Sequence, residues 1–322
     1  MIYNESKNFL DEILPEDFDL VNEIKKLKKE KNAIILGHFY QRPEVQEISD
    51  FIGDSLALSQ MAEKTQADII IFAGVTFMAE TAKILNPTKK VIIPDLEAGC
   101  SLSDSCPAKE FSKFLENYPD HTVITYINSS TDIKTMSDII CTSSNAVKIV
   151  ESLPKEEKIV FAPDKNLGSY IEKLTERKMV LWDGACHVHK QFSLPKIIEL
   201  KNENQDAKTV AHPECQSEIL IISDFIGSTN ALLDYVTKSE NEKFIVVTES
   251  GILHKMKQQN PKKIFIPAPP EDSTCACNDC SFMKLITLKK IYLSLKYEQP
   301  EIIIDETVRK QALKPIKRML EI

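Results

Sequence analysis

A chain of 322 residues, 43% hydrophobic and 27% charged, has enough apolar surface for two or three ordinary cores and is unlike a disordered composition. Its formal net charge of -8 speaks against a nucleic-acid surface, and the densest basic run, Lys25-Lys26-Leu27-Lys28-Lys29-Glu30-Lys31, lacks interleaved aromatics and reads as a solvated helix face. No apolar run approaches the ~20 residues of a membrane span, and the acidic stretch Met1 to Leu20, broken by Pro15, is unlike a signal peptide, so a cytoplasmic protein without membrane contact is expected.

In chain order, apolar spacing predicts a helix over residues 18–31, then a short buried strand, Ala33-Ile34-Ile35-Leu36-Gly37, ending at His38-Phe39-Tyr40. A helix from Pro43 leads into Ile48-Ser49-Asp50-Phe51-Ile52-Gly53, read as an apolar helix end followed by a glycine turn, and Asp54-Ser55 caps the next helix. The continuous run Asp68 to Gly74 suits a strand buried on both faces of a parallel sheet. A helix from Phe77 to Leu85 stops at Asn86-Pro87, and the strand Val91-Ile92-Ile93-Pro94 leads to Gly99-Cys100.

A second pass repeats that order: helix 108–117, strand Thr122-Val123-Ile124-Thr125, strand Lys158 to Ala162, a helix from Gly168, and strand Met179 to Trp182 before Cys186. The third has a helix near 196–200, strands Thr209-Val210-Ala211 and Phe244 to Val247, a helix from Gly251, and strand Lys263 to Pro267 before Cys275, Cys277 and Cys280. Ile302-Ile303-Ile304 reads as a further strand before a last helix.

The passes are copies of one unit. The hexapeptide at Ile48 recurs letter for letter at Ile222 to Gly227, and Asn86-Pro87 recurs at the same offset as Asn260-Pro261. A looser copy, Ser137-Asp138-Ile139-Ile140-Cys141-Thr142-Ser143-Ser144, lies almost midway. The sequence therefore predicts an α/β protein of three similar αβα domains with short parallel sheets, related by a pseudo-threefold axis. Their expected bounds are 1–106 with an N-terminal helix, 107–192, and 193–322 with a C-terminal extension.

Ligands of such sheets bind at the carboxyl ends of the strands, and the polar residues fall there in each copy. His38 and Tyr40, Tyr126 and Asn128, and His212 and Glu214 follow the first strands, while Ser55, Ser143 and Thr229 align behind the hexapeptides. Cys100, Cys186 and one of the late cysteines follow the last strands. A lone buried cysteine is usually a small hydrophobe, but three at equivalent places suit a [4Fe-4S] cluster with one iron free of protein, or a zinc with an open position. Tyr40 and Glu214 are candidates for general acid and base, and His38 and His212 for anion binding or proton movement. The three hydroxyls can serve as plain N-caps or bind phosphate or carboxylate.

These residues carry a resemblance. His38-Phe39-Tyr40, Gly53-Asp54-Ser55, Ala98-Gly99-Cys100-Ser101-Leu102, Tyr126-Ile127-Asn128, Cys186-His187-Val188-His189, His212-Pro213-Glu214, Gly227-Ser228-Thr229 and Cys280-Ser281-Phe282-Met283 resemble the quinolinate synthase family in order and spacing over residues 33–290. The resemblance implies a [4Fe-4S] cluster at the pseudo-threefold axis and condensation of iminoaspartate with dihydroxyacetone phosphate to quinolinate, in NAD biosynthesis. It implies cluster ligation by Cys100, Cys186 and Cys280, the last because Cys280-x-x-Met283 matches the family's ligand context. Substrate contacts are implied for His38, Ser55, Tyr126, Asn128, Ser143, His212, Glu214 and Thr229, with proton transfers by Tyr40 and Glu214. A functional link to an iminoaspartate-producing enzyme follows. The rivals are another iron–sulfur hydro-lyase acting on a hydroxy acid, an iron–sulfur redox or sensor protein, and a structural zinc protein.

Overall fold

The computed structural model describes residues 12–272 and 278–322. It is an α/β fold built on three four-stranded sheets, in which every pair of neighbouring strands is parallel. The first sheet holds β1 (Ala33–His38), β2 (Phe51–Gly53), β3 (Ile69–Ala73) and β4 (Lys90–Ile92) in the order β2-β1-β3-β4. The second holds β5 (Thr122–Tyr126), β6 (Ile139–Cys141), β7 (Ile159–Ala162) and β8 (Val180–Leu181) as β6-β5-β7-β8. The third holds β9 (Lys208–Ala211), β10 (Phe225–Ile226), β11 (Lys243–Val247) and β12 (Ile264–Pro267) as β10-β9-β11-β12. One strand order, used three times, is the structural counterpart of the sequence repeat.

Central strands such as β3 and β7 are buried at every position. This is the pattern required when helices cover both faces of a parallel sheet. The hexapeptide proves to be more than a helix end: its Phe-Ile-Gly pairs as the short edge strand β2, and its counterparts form β6 and β10. Its aspartate explains the repetition. The Oδ2 atoms of Asp50, Asp138 and Asp224 accept the backbone N–H of Ile35, Val123 and Thr209, each at 2.8 Å. The preceding serines Ser49, Ser137 and Ser223 each donate to the carbonyl four residues back, at 2.7–2.8 Å. A two- or three-residue strand has few ladder bonds, so a side-chain bond to its neighbour fixes its register.

Glycine is required where these pieces close in. A Cβ on Gly37 would lie 2.4 Å from Ser49 Oγ. One on Gly184 would lie 2.5 Å from the carbonyl oxygen of Pro163, so the chain after β8 runs backbone against backbone beside the end of β7.

The chain divides into two compact units. The first comprises the described residues through Cys100 together with Ser281–Leu313, and contains the first sheet. Its helix Leu20–Glu30, capped by Asp19, lies beside the helix Leu288–Tyr297, where the rings of Phe18 and Tyr292 meet edge to face at 4.9 Å. The second unit, Ser101–Cys280 with Lys314–Ile322, contains the other two sheets. Its second sheet is covered by Phe111 and Ile133, with Trp182 packed on Phe111 and donating its indole N–H to Ser105 O at 2.9 Å.

Two expectations are corrected. The predicted strand at Ile302–Ile304 is not formed; Glu301 makes an isolated antiparallel bridge to Ile92, and the Ile302 N–H reaches Val91 O at 2.8 Å. An apolar triplet can be buried without becoming a ladder. The helix expected from Gly168 begins at Lys165, because Asp164 is its N-cap and accepts Leu167 N–H at 2.7 Å. Among the described residues, no helix is long and apolar enough to cross a membrane.

Candidate active site

In the second unit the strand ends deliver a connected polar network. Tyr126 closes β5, and its hydroxyl donates to Glu214 Oε1 at 2.7 Å. The other oxygen, Oε2, lies 2.9 Å from Nδ1 of His189 in ionic contact without a linear N–H···O bond. His189 Nε2 sits 3.0 Å from Thr248 Oγ1, one residue beyond β11. His212, one residue beyond β9, places Nε2 3.3 Å from Ser143 Oγ, and its ring lies 4.8 Å from that of His189. The Asn166 side chain donates to the Glu214 carbonyl at 3.0 Å. Four sequence-predicted residues, Tyr126, Ser143, His212 and Glu214, are thus joined, and His189 and Thr248 complete the chain.

Tyr126, His189, His212, Glu214 and Thr248 are all buried, so their charges are set by one another more than by water. Burial opposes ionisation of Glu214, but the imidazoles of His189 and His212 beside it and the Tyr126 hydroxyl outweigh it and hold the carboxyl below the usual carboxylate range. Burial pushes His212 down to about 3, against the pull of Glu214, so its imidazole is neutral at pH 7. Asp164, fully buried, is pushed up by burial and by the negative charge of Glu214. Two carboxyls in one buried region are thus pushed in opposite directions, Glu214 down and Asp164 up, the division expected where one group acts as base.

The hydroxyls behind the hexapeptides are not N-caps. Asp54 caps the helix Ser55–Lys64 and Ser228 caps Thr229–Lys238, which makes Ser55 and Thr229 the first helical residues. Ser143 precedes the helix Ala146–Glu151, whose N-cap is Asn145. With capping done by neighbours, Ser55 and Thr229 stand in the first turns of their helices, where hydroxyl and N–H groups come together as they do around bound anions. Asn128 Oδ1 is buried and has no hydrogen-bond partner among the described residues.

In the first unit, His38 is buried at the end of β1, with its Nδ1 3.2 Å from Tyr40 N and its ring 4.5 Å from the Tyr40 ring. Lys284 Nζ donates to Tyr40 O at 2.7 Å and fixes this corner. Cys100 ends the loop after β4, where Thr76 donates both its N–H and its hydroxyl to Ala98 O, at 2.8 and 2.9 Å.

The described cysteines fall into two sets. Cys106, Cys141 and Cys215 are buried, and burial raises the pKa of each thiol, that of Cys106 to about 12. Inert thiols of this kind are core residues. Cys100, Cys186 and Cys280 are each partly exposed. One ligand atom each from Cys186, His189 and Glu214 lies within 4.8 Å of the others, so a metal could be held there. His189 and Glu214 are engaged with each other and with Thr248 and Tyr126, and Cys186 is the soft donor of the three. Cys275 and Cys277 lie outside the described residues.

Sequence reasoning passed over His189, Thr248 and Asp164. His189 stood in the Cys186-His187-Val188-His189 motif without a role, and nothing in a single sequence pairs it with Thr248 across two sheets. Asp164 carried the ordinary signal of an N-cap.

Residues 22–321 match the protein family described as Quinolinate synthetase A protein (NadA). The chain is 58% identical over 304 residues to the quinolinate synthase of Chloroherpeton thalassium, covering 94% of each chain. It is likewise 58% identical over 307 residues to that of Thermosynechococcus vestitus (95% of this chain, 96% of the relative) and over 303 residues to that of Nostoc punctiforme (94% and 93%).

Proposed function

Since the chain belongs to the quinolinate synthase family, we propose that it condenses iminoaspartate with dihydroxyacetone phosphate to quinolinate, with loss of two waters and phosphate, in NAD biosynthesis. Closing this ring needs one new C–C bond, one new C–N bond and several proton removals. An ionised, buried base beside proton-carrying partners suits those steps. Glu214 is that base, oriented by Tyr126 and His189. Tyr40 acts as an acid, and neutral His212 exchanges protons or donates to a substrate carboxylate alongside Ser143. His38, Asn128, Ser55 and Thr229 bind the substrates' carboxylate, hydroxyl and phosphate oxygens.

Cys100, Cys186 and Cys280 hold a [4Fe-4S] cluster. The observation that carries this reading is the division of the cysteines: partly exposed thiols follow the last strand of each sheet, and the remaining described thiols are buried in cores. When bound, the cluster supplies a Lewis acid at an iron without a protein ligand. The sheets are the cores of three repeats, 1–106, 107–192 and 193–322, and the protein works in the cytoplasm beside an enzyme that oxidises aspartate to iminoaspartate. Anaerobic purification tests the cofactor: brown protein with about four iron and four sulfide per chain is expected. Colourless, zinc-loaded protein would contradict it.

A further inference from the structure

The proposed ligands of the second unit sit on loops after the last strands of their sheets, and the two sheets carry an acid at the same place. Two residues beyond the end of β7 stands Asp164; two residues beyond the end of β11 stands Glu249. Each is a carboxylic acid with no exposed surface. Glu249 Oε1 accepts the backbone N–H of Cys280 at 3.0 Å, and its Oε2 accepts that of Gly251 at 2.7 Å. Asp164 Oδ1 accepts the Leu167 N–H at 2.7 Å, while its Oδ2 has no hydrogen-bond partner among the described residues. It also bridges to Gly184, whose carbonyl accepts the Lys165 N–H at 2.9 Å.

The structure assigns Glu249 as a positioning residue that fixes the backbone of Cys280, whereas Asp164, its counterpart beyond β7, holds the start of its own helix. A buried carboxylate is costly and persists where its bonds repay the lost hydration. Here the bonds run to the cysteine's own amide, which sets where the Cα–Cβ bond leaves the chain before any iron is present. The clamp also takes the Gly251 N–H at the start of the helix that follows β11, so the ligand loop is referenced to the sheet and not to solvent. Repeat one achieves this differently: Val75 stands in the corresponding place, and Thr76 holds Ala98, two residues before Cys100.

This assignment rests on Cys280 being a cluster ligand, and the test separates the two ideas. Hydrogen exchange on the iron-free protein is expected to quicken about tenfold or more at the Cys280 amide in Glu249→Gln, which keeps the side-chain size. The variant should leave the amides of β5 and β9 protected. After anaerobic reconstitution the electron paramagnetic resonance spectrum of the reduced cluster should differ from wild type. Unchanged exchange at the Cys280 amide would overturn the clamp whatever the iron content, as would equal acceleration over the whole unit. Wild-type protein that takes up no iron, with the local exchange effect intact, would overturn the cluster and keep the clamp as the holder of this loop. A spectrum identical to wild type would overturn its role toward the cluster.

Discussion

Tyr126 and Glu214 come from different sheets, yet the tyrosine hydroxyl donates to the carboxylate at 2.7 Å with both side chains buried. A hydrogen bond to a charged, dehydrated partner contributes about 1.5–3 kcal/mol. Tyr126→Phe should therefore lower kcat/KM by roughly ten- to a hundredfold, and Glu214→Gln by about a hundredfold or more, as a lost general base does. Steady-state rates of quinolinate formation decide it; near-wild-type E214Q would remove Glu214 from the chemistry.

His189 is expected to act on the reaction through Glu214. Its imidazole, 2.9 Å from Glu214 Oε2, draws the carboxyl pKa down, so His189→Gln should raise that pKa. The acid limb of the pH–rate profile is then expected to move to higher pH. Thr248→Val, which loses the partner of His189 Nε2, should move it the same way by less. Profiles overlaying wild type would show that His189 only fills space.

His212 makes stability depend on pH. Its folded pKa is depressed by burial from 6.5 to about 3, so between those values the unfolded chain binds the extra proton. Stability should thus be fully present above pH ~6.5 and fall as the pH drops, by up to ~1.4 kcal/mol per unit from this group. Urea denaturation at pH 7 and pH 5 should show a loss that is smaller in His212→Gln. An equal loss in both proteins would place the acid sensitivity elsewhere.

The cysteines should separate cleanly. Alanine at Cys100, Cys186 or Cys280 is expected to lower bound iron to a fraction of wild type and abolish activity. Alanine at Cys141 or Cys215 should leave the iron content unchanged and cost about 1 kcal/mol of stability from lost packing. Iron analysis after reconstitution reads both; a full cluster in Cys280→Ala would exclude Cys280 as a ligand.

Much of this was legible before the fold was known. Wholly apolar runs such as Ile69 to Ala73 announced buried parallel strands, and the repeated hexapeptide aligned Tyr126 with His38 and His212. The hexapeptide's own job was not legible, because β2, β6 and β10 have only two or three residues each. Their register depends on Asp50, Asp138 and Asp224 reaching across to the next strand, a tertiary bond with no local pattern. Ser55 and Thr229 read equally well as caps until Asp54 and Ser228 were seen to do the capping. His189 and Glu249 act through partners on other strands and loops, which spacing along one chain does not reveal.

The most direct measurement is an anaerobic assay of the reconstituted protein with iminoaspartate and dihydroxyacetone phosphate, following quinolinate by chromatography. Quinolinate should form with wild-type protein, with one phosphate released per turnover, and should be lost in Glu214→Gln. Protein carrying its full cluster that forms no quinolinate would contradict the proposed function.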